Sequence, residues 1–204
     1  MALHLLLLSI LITLVFPYST TTTAAHNTGT PQNLVRSSCI HANYPDLCLR
    51  TLTSFMGQAN TPNDVAKAAV TVSLARAQKV SDYLKDLSKK RNGGGGSNKR
   101  ENGALTDCVE EMTDSVEQLK KTLSELQHLR SRTFRWQLSN VQTWVSAALT
   151  YEDTCLDGFK TVDGDINKDE IKKKINNLAR ITSNALYLIN RLDDQSPNGR
   201  KHDP

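Results

Sequence analysis

Four cysteines, several paired carboxylates and one Asp-Gly-Asp segment are the residues whose types and spacing could do chemistry here. Cys39, Cys48, Cys108 and Cys155 contain no C-x-x-C pair, which argues against a zinc site. If all four are paired, no thiolate remains to act as a nucleophile. Glu110/Asp114 and Glu152/Asp153 have the spacing of acid–base pairs, but on exposed helix faces they read as solvated charge. Asp163-Gly164-Asp165-Ile166-Asn167 opens like a calcium loop. Its sixth position is Lys168 instead of Gly and its twelfth is Lys174 instead of Glu, so the ligand set fails. His26, His41 and His202 fall in leader, hairpin or tail positions. His128 sits at a helix end without an acid–serine constellation. Gly93 to Gly96 follows no strand and precedes no Gly-Lys-Ser/Thr, so it reads as a linker. No active site, metal site or cofactor is read from these residues.

The cysteines then become a frame. Four allow three connectivities, and spacing favours one. Cys39 and Cys48 are nine residues apart across Asn43-Tyr44-Pro45 and can close locally. Cys108 and Cys155 share a midpoint at Ser131-Arg132, inside the non-periodic segment Arg130 to Thr133. In an antiparallel helical hairpin, residues equidistant from the turn face each other. The loop-entropy model gives about 3 kcal/mol for the short bridge and about 4 kcal/mol for the long one. Loss of Cys108 is expected to destabilise far more than loss of Cys39, on the view that the N-terminal hairpin lies outside the main core.

An oxidising compartment is implied as well. Residues 1–25 carry an apolar run from Leu5 to Phe16, then Pro17 and a small-residue segment, and read as a secretory signal peptide. The mature chain is therefore expected to be secreted or vacuolar, where disulfides persist. No later stretch could span a bilayer. Residues 1–25 contain no Lys, Arg, Asp or Glu, so the formal charge of +4 survives their removal. That charge comes with no groove-reading motif, so nucleic acid is excluded as a partner.

Apolar periodicity predicts an all-α chain. Residues 26–31 read as a flexible leader, 32–58 as a small disulfide-closed helical hairpin, 61–195 as a four-helix bundle and 196–204 as a polar tail. In the bundle, Thr61-Pro62-Asn63-Asp64 is a helix start, and Val65, Ala69, Val72, Ala77, Val80, Leu84 and Leu87 mark the first buried side. Asn92 to Gly103 reads as a Gly-rich loop. The second helix, from Ala104 to Leu126, repeats Leu105, Val109, Met112, Val116, Leu119, Leu123 and Leu126. The third runs from Phe134 to Phe159, with Val141, Trp144, Val145, Ala148, Cys155, Leu156 and Phe159 on one stripe. Asn167 and Glu170 form a capping box for the fourth. With 38% hydrophobic residues, the expectation is an up-down-up-down four-helix bundle. Trp136 and Trp144 are available to fill an alanine-rich core.

What remains for function is surface. The proposed long disulfide gathers Asp107, Glu110, Glu111 and Asp114 beside Glu152, Asp153 and Asp157 at one acidic end. On the third helix, Thr143, Ser146 and Thr150 form a face of short side chains where Lys and Glu would be usual. Short residues allow close approach and lose little entropy on binding. Asp107, Glu110, Asp114 and Glu117 with Thr143, Ser146, Thr150, Asp153 and Asp157 are the expected partner interface.

Three segments carry a family resemblance. Cys39-Ile40-His41-Ala42-Asn43-Tyr44-Pro45-Asp46-Leu47-Cys48, then Ala104-Leu105-Thr106-Asp107-Cys108, then Ser146 through Thr154-Cys155-Leu156-Asp157-Gly158-Phe159 resemble the plant invertase and pectin methylesterase inhibitors. The resemblance runs from about Gln32 to Leu192. It implies a four-helix bundle with an N-terminal hairpin, disulfides pairing first with second and third with fourth, and no catalysis. It also implies a cell-wall protein that binds a secreted carbohydrate-active enzyme noncovalently over its substrate cleft. Pectin methylesterase is the expected target and acid invertase the alternative. Invertase inhibitors of this kind are expected to use a Pro-Lys-Phe element, and no such tripeptide occurs here. With no enzyme domain following Pro204, the chain is expected to act in trans.

Overall fold

The computed structural model describes residues 31–92, 99–160, 162 and 167–194. Within them lie six α-helices and a 3-10 turn, Thr53–Phe55. The helices are α1 (Pro31–Cys39), α2 (Pro45–Leu52), α3 (Pro62–Asn92), α4 (Lys99–Gln127), α5 (Phe134–Gly158) and α6 (Lys168–Asp194). No strand occurs among the described residues. The signal-peptide and leader segments 1–30, Gly93 to Gly96, Asp163-Gly164-Asp165-Ile166 and the tail from 195 lie outside them.

Local chemistry sets the helix starts. At α3, Thr61 Oγ1 accepts from the Asp64 N–H (3.1 Å), and the Asp64 carboxylate accepts from the Thr61 N–H (3.0 Å), a reciprocal capping box. At α6, Asn167 Oδ1 accepts from the Glu170 N–H (3.1 Å) and Asn167 Nδ2 donates to Glu170 Oε2 (3.4 Å). Pro45 opens α2, where a missing N–H costs no helical bond. The α4–α5 turn is tied by one side chain. Gln137 Oε1 accepts from the Arg130 N–H (2.8 Å) and Thr133 Oγ1 (2.9 Å), while its Nε2 donates to the His128 carbonyl (2.9 Å).

Each long helix then buries a seam of alternating three- and four-residue steps. On α3 it is Ala66, Val70, Ser73, Ala77, Val80 and Leu84; on α4, Leu105, Cys108, Met112, Ser115, Leu119, Thr122 and Leu126. On α5 it is Val141, Val145, Ala148, Glu152, Cys155 and Phe159; on α6, Ile171, Ile175, Leu178, Thr182, Ala185, Ile189 and Leu192. The helices pack as a ring, α3 on α4, α4 on α5, α5 on α6 and α6 on α3, with α4 and α5 most extensively joined. That is an up-down-up-down bundle. Cys39–Cys48 and Cys108–Cys155 are the disulfides, as the spacing predicted.

Four expectations are corrected. Helix α4 starts at Lys99, five residues before Ala104. Glu101 is buried there in an ion pair with Arg91, and Arg91 Nε also donates to Asn102 Oδ1 (3.3 Å), so tertiary contact carries the helix through Gly103. The α4 seam turns on Cys108, Ser115 and Thr122, whereas Val109, Val116 and Leu123 are only half-buried. Trp136 is 67% exposed and fills no core space, while Trp144 is half-buried.

The fourth correction concerns the hairpin. Val35, Cys39, Ala42, Cys48 and Leu52 belong to the same buried cluster as the bundle. Asn184 of α6 clamps Tyr44, accepting from its N–H (2.9 Å) and donating to its carbonyl (3.0 Å). The two bridges therefore differ chiefly in loop length, nine residues against 47. In urea denaturation, Cys39→Ser is expected to destabilise by about 3 kcal/mol and Cys108→Ser by about 4 kcal/mol. A Cys39→Ser protein as stable as wild type would detach the hairpin from the cooperative core.

Candidate functional site

The Cys108–Cys155 bond fixes the register between α4 and α5, and a second link repeats it: Ser115 Oγ donates to Glu152 Oε1 at 2.9 Å. In this antiparallel register Glu110 falls level with Asp153 and Glu117 level with Ser146. All nine expected interface residues are exposed: Asp107, Glu110, Asp114 and Glu117 on α4, and Thr143, Ser146, Thr150, Asp153 and Asp157 on α5. Their spacings place each set along one strip of its helix.

The small-residue strip is chemically quiet. Thr143 Oγ1 donates to the Ser139 carbonyl (2.9 Å), Thr150 Oγ1 to Ser146 (3.1 Å) and Thr154 Oγ1 to Thr150 (2.9 Å). The threonine hydroxyls are thus satisfied by their own helix. Low relief remains for a partner.

The acids are less balanced. Glu117 pairs with Lys121 (2.8 Å) and Asp157 with Lys160 (2.6 Å), and the Lys121 hydrogen bond holds Glu117 below the usual carboxylate range. Asp107, Glu110, Asp114 and Asp153 have no ion-pair partner among the described residues. Their effect shows on Glu111, whose carboxyl is pushed up by burial and then by the charges of Asp114, Asp107 and Glu110. Glu111 Oε2 is itself buried without a hydrogen-bond partner.

The charge separates by side of the bundle. Helix α3 carries seven basic and three acidic residues and α6 six and four, a net of +6. Helix α4 carries four basic and seven acidic residues and α5 one and three, a net of −5. The modest overall charge conceals an acidic pair of helices backed by a basic pair.

Glu152 corrects the sequence reading. It is fully buried and does not join the exposed acids. Its Oε1 accepts from Ser115 and from Thr182 Oγ1 (3.0 Å), while Oε2 has no partner. Burial pushes its carboxyl up to about 8; the hydroxyls of Ser115 and Thr182 oppose the shift and the charge of Asp153 adds to it. Ser73, on α3, is also fully buried, with its Oγ donating to the Ala69 carbonyl (3.0 Å). Each long helix thus contributes at least one polar residue to the core. The signal was present in sequence: Glu152 continues the three- and four-residue steps from Ala148 to Cys155, and its charge argued the other way.

Among the described residues no group of His, Cys, Asp or Glu could hold a metal ion, and no helix is long and apolar enough to cross a membrane. Fold and site define a disulfide-framed helical bundle whose distinctive chemistry lies on an exposed, acidic, low-relief face.

Comparison with known proteins specifies the class. The profile described as plant invertase/pectin methylesterase inhibitor matches residues 33–188. The chain is 45% identical to Pectinesterase inhibitor 3 of Arabidopsis thaliana, over 98% of this chain and 96% of that one. It is 38% identical to Pectinesterase inhibitor 9 of the same species, over 84% and 86%. A crystal structure of a mutant pectin methylesterase inhibitor from Arabidopsis superposes with a TM-score of 0.59 at 24% identity, covering 74% of this chain and 92% of the other, a likeness of fold. The chain belongs to the plant invertase/pectin methylesterase inhibitor family, whose members are inhibitors and not enzymes.

Proposed function

We propose that this chain inhibits a pectin methylesterase by binding it noncovalently and covering its substrate cleft with the α4–α5 face. The observation that carries the proposal is the run of acids without ion-pair partners on α4, in register with a strip of short side chains on α5. A cleft that accommodates pectin, a polymer of acidic sugars, is suited to an acidic competitor, and low relief permits close approach. Relatives named as pectinesterase inhibitors support the choice of target. Two disulfides are consistent with a secreted protein, and a signal peptide at 1–25 with delivery to the cell wall completes the reading.

A side-by-side assay tests it. The purified protein should inhibit a plant pectin methylesterase and leave a cell-wall invertase active. Inhibition of invertase alone would overturn the target. If the acids act by attraction, inhibition should weaken as ionic strength rises from 0.01 to 0.1 M, where the screening length falls from about 30 Å to about 10 Å.

A further inference from the structure

On the side of the bundle away from the acidic helices, α3 and α6 line an open groove of about 740 Å³, a size comparable with ligand clefts, about 300–1,000 Å³. Arg76 and Lys79 reach it from α3, and Lys173 and Lys174 from α6. Lys174 is already engaged. It pairs with Glu170 (3.3 Å) and lies over the Tyr83 ring (4.6 Å). Arg76, Lys79 and Lys173 have no ion-pair or hydrogen-bond partner among the described residues.

Some lysines of the bundle do find an acid nearby. Lys67, Lys121 and Lys160 each hold an acid on their own turn or the next. In the groove, the Glu170 carboxylate is occupied by Lys174 and accepts from Asn167 Nδ2 in the α6 cap. Only Asp169 remains to answer three cations. Arg180 lies two turns beyond Lys173 on the same strip of α6, stacked on the Tyr44 ring at 5.4 Å, and extends the positive track toward the hairpin. Asn177 adds an amide group able to bond hydroxyls. A groove with several cations and an amide along its walls fits a chain of carboxylated sugars.

We propose that the α3–α6 groove binds demethylesterified pectin, a polygalacturonate, and so holds the inhibitor on anionic pectin while the α4–α5 face engages the enzyme. The ligand's identity rests on the functional reading above. A pectin methylesterase converts neutral methyl esters to carboxylates, so its product is a polyanion where the enzyme works. The two faces lie on different helices, so both can be occupied together.

Affinity electrophoresis of the full secreted chain through gels containing polygalacturonate tests this, with highly methyl-esterified pectin and dextran sulfate as comparison gels. Wild type should be retarded by polygalacturonate and little by the esterified polymer. An R76Q/K79Q/K173Q variant should lose about tenfold in affinity, as expected for three charge-assisted contacts. An R50Q/R130Q/R132Q variant, with the same change in net charge elsewhere, should lose little. Both should inhibit pectin methylesterase as wild type does. Equal losses in the two variants, or equal retardation by the esterified polymer or dextran sulfate, would overturn the groove assignment. Retention on polygalacturonate without any enzyme inhibition would defeat the functional reading and leave the groove standing.

Discussion

Ser146→Arg should abolish inhibition of pectin methylesterase while leaving the folded protein intact. Ser146 is exposed in the middle of α5, one helical step from both Thr143 and Thr150. An arginine there would stand several ångströms above the neighbouring short side chains, which the proposed contact requires to be low. An interface residue at a packed centre is worth about 2 kcal/mol or more, and displacing the surfaces disturbs several contacts at once. The inhibition constant should therefore rise by at least about 100-fold. Stability should hardly move. The Ser146 side chain is exposed, and its carbonyl remains available to Thr150 Oγ1. Circular dichroism and melting temperature establish the fold, and titration of enzyme activity gives the constant. Unchanged inhibition would place the contact on another face.

The second large effect is expected from Glu152. Its carboxyl has an ordinary value near 4.5 in the unfolded chain and is pushed up to about 8 in the bundle by burial. Below pH 4.5 both states hold the proton, and the stabilisation is complete. Between 4.5 and 8 the unfolded chain releases its proton while the folded chain keeps it, so stability falls as pH rises. The slope approaches about 1.4 kcal/mol per pH unit for one proton, so the loss across that window is on the order of a few kcal/mol. Above about 8 it levels off. Glu152→Gln keeps an oxygen to accept from Ser115 and Thr182 and carries no charge to desolvate. That variant should match wild type near pH 4 to 5 and exceed it at pH 8. Urea denaturation across this range measures both. Parallel pH profiles for the two proteins would mean that Glu152 is not the group responsible.

The polar residues of the core also bear on specificity. Ser115, Glu152 and Thr182 are linked across three helices. A slip of either neighbour against α5 would leave a buried carboxyl without its donors, at about 1–3 kcal/mol for each unsatisfied group. The same register brings Cys108 to Cys155 and Glu110 level with Asp153. Core polarity, disulfide and surface strip are therefore coupled through one alignment of α4 and α5.

Much of this protein is legible in its sequence because the relevant physics is local. Thr61 with Asp64 and Asn167 with Glu170 are capping pairs whose partners lie three residues apart, so helix starts could be named in advance. The shared midpoint of Cys108 and Cys155 predicts their bridge because an antiparallel hairpin folds symmetrically about its turn. The three motif segments identify the family. Apolar residues at helical spacing identify four amphipathic helices, and their order implies the bundle.

Other features depend on what each helix meets. Lys99 to Gly103 joined α4 because Glu101 and Asn102 found Arg91 of α3, a contact no local propensity reports. Cys108, Ser115 and Thr122 displaced Val109, Val116 and Leu123 from the seam because packing orientation, set by two neighbouring helices, outweighs small differences in side-chain hydrophobicity. Glu152 lies inside because Ser115 and Thr182 supply donors there, whereas Trp136 lies outside at the first turn of α5. A formal total of +4 cannot show that acidic residues gather on α4 and α5 and basic ones on α3 and α6. Sequence determined the helices, their bridges and their family, since those follow from spacing along one chain. Tertiary structure decided which polar residues are core and which charges stand together, because both depend on neighbours distant in sequence.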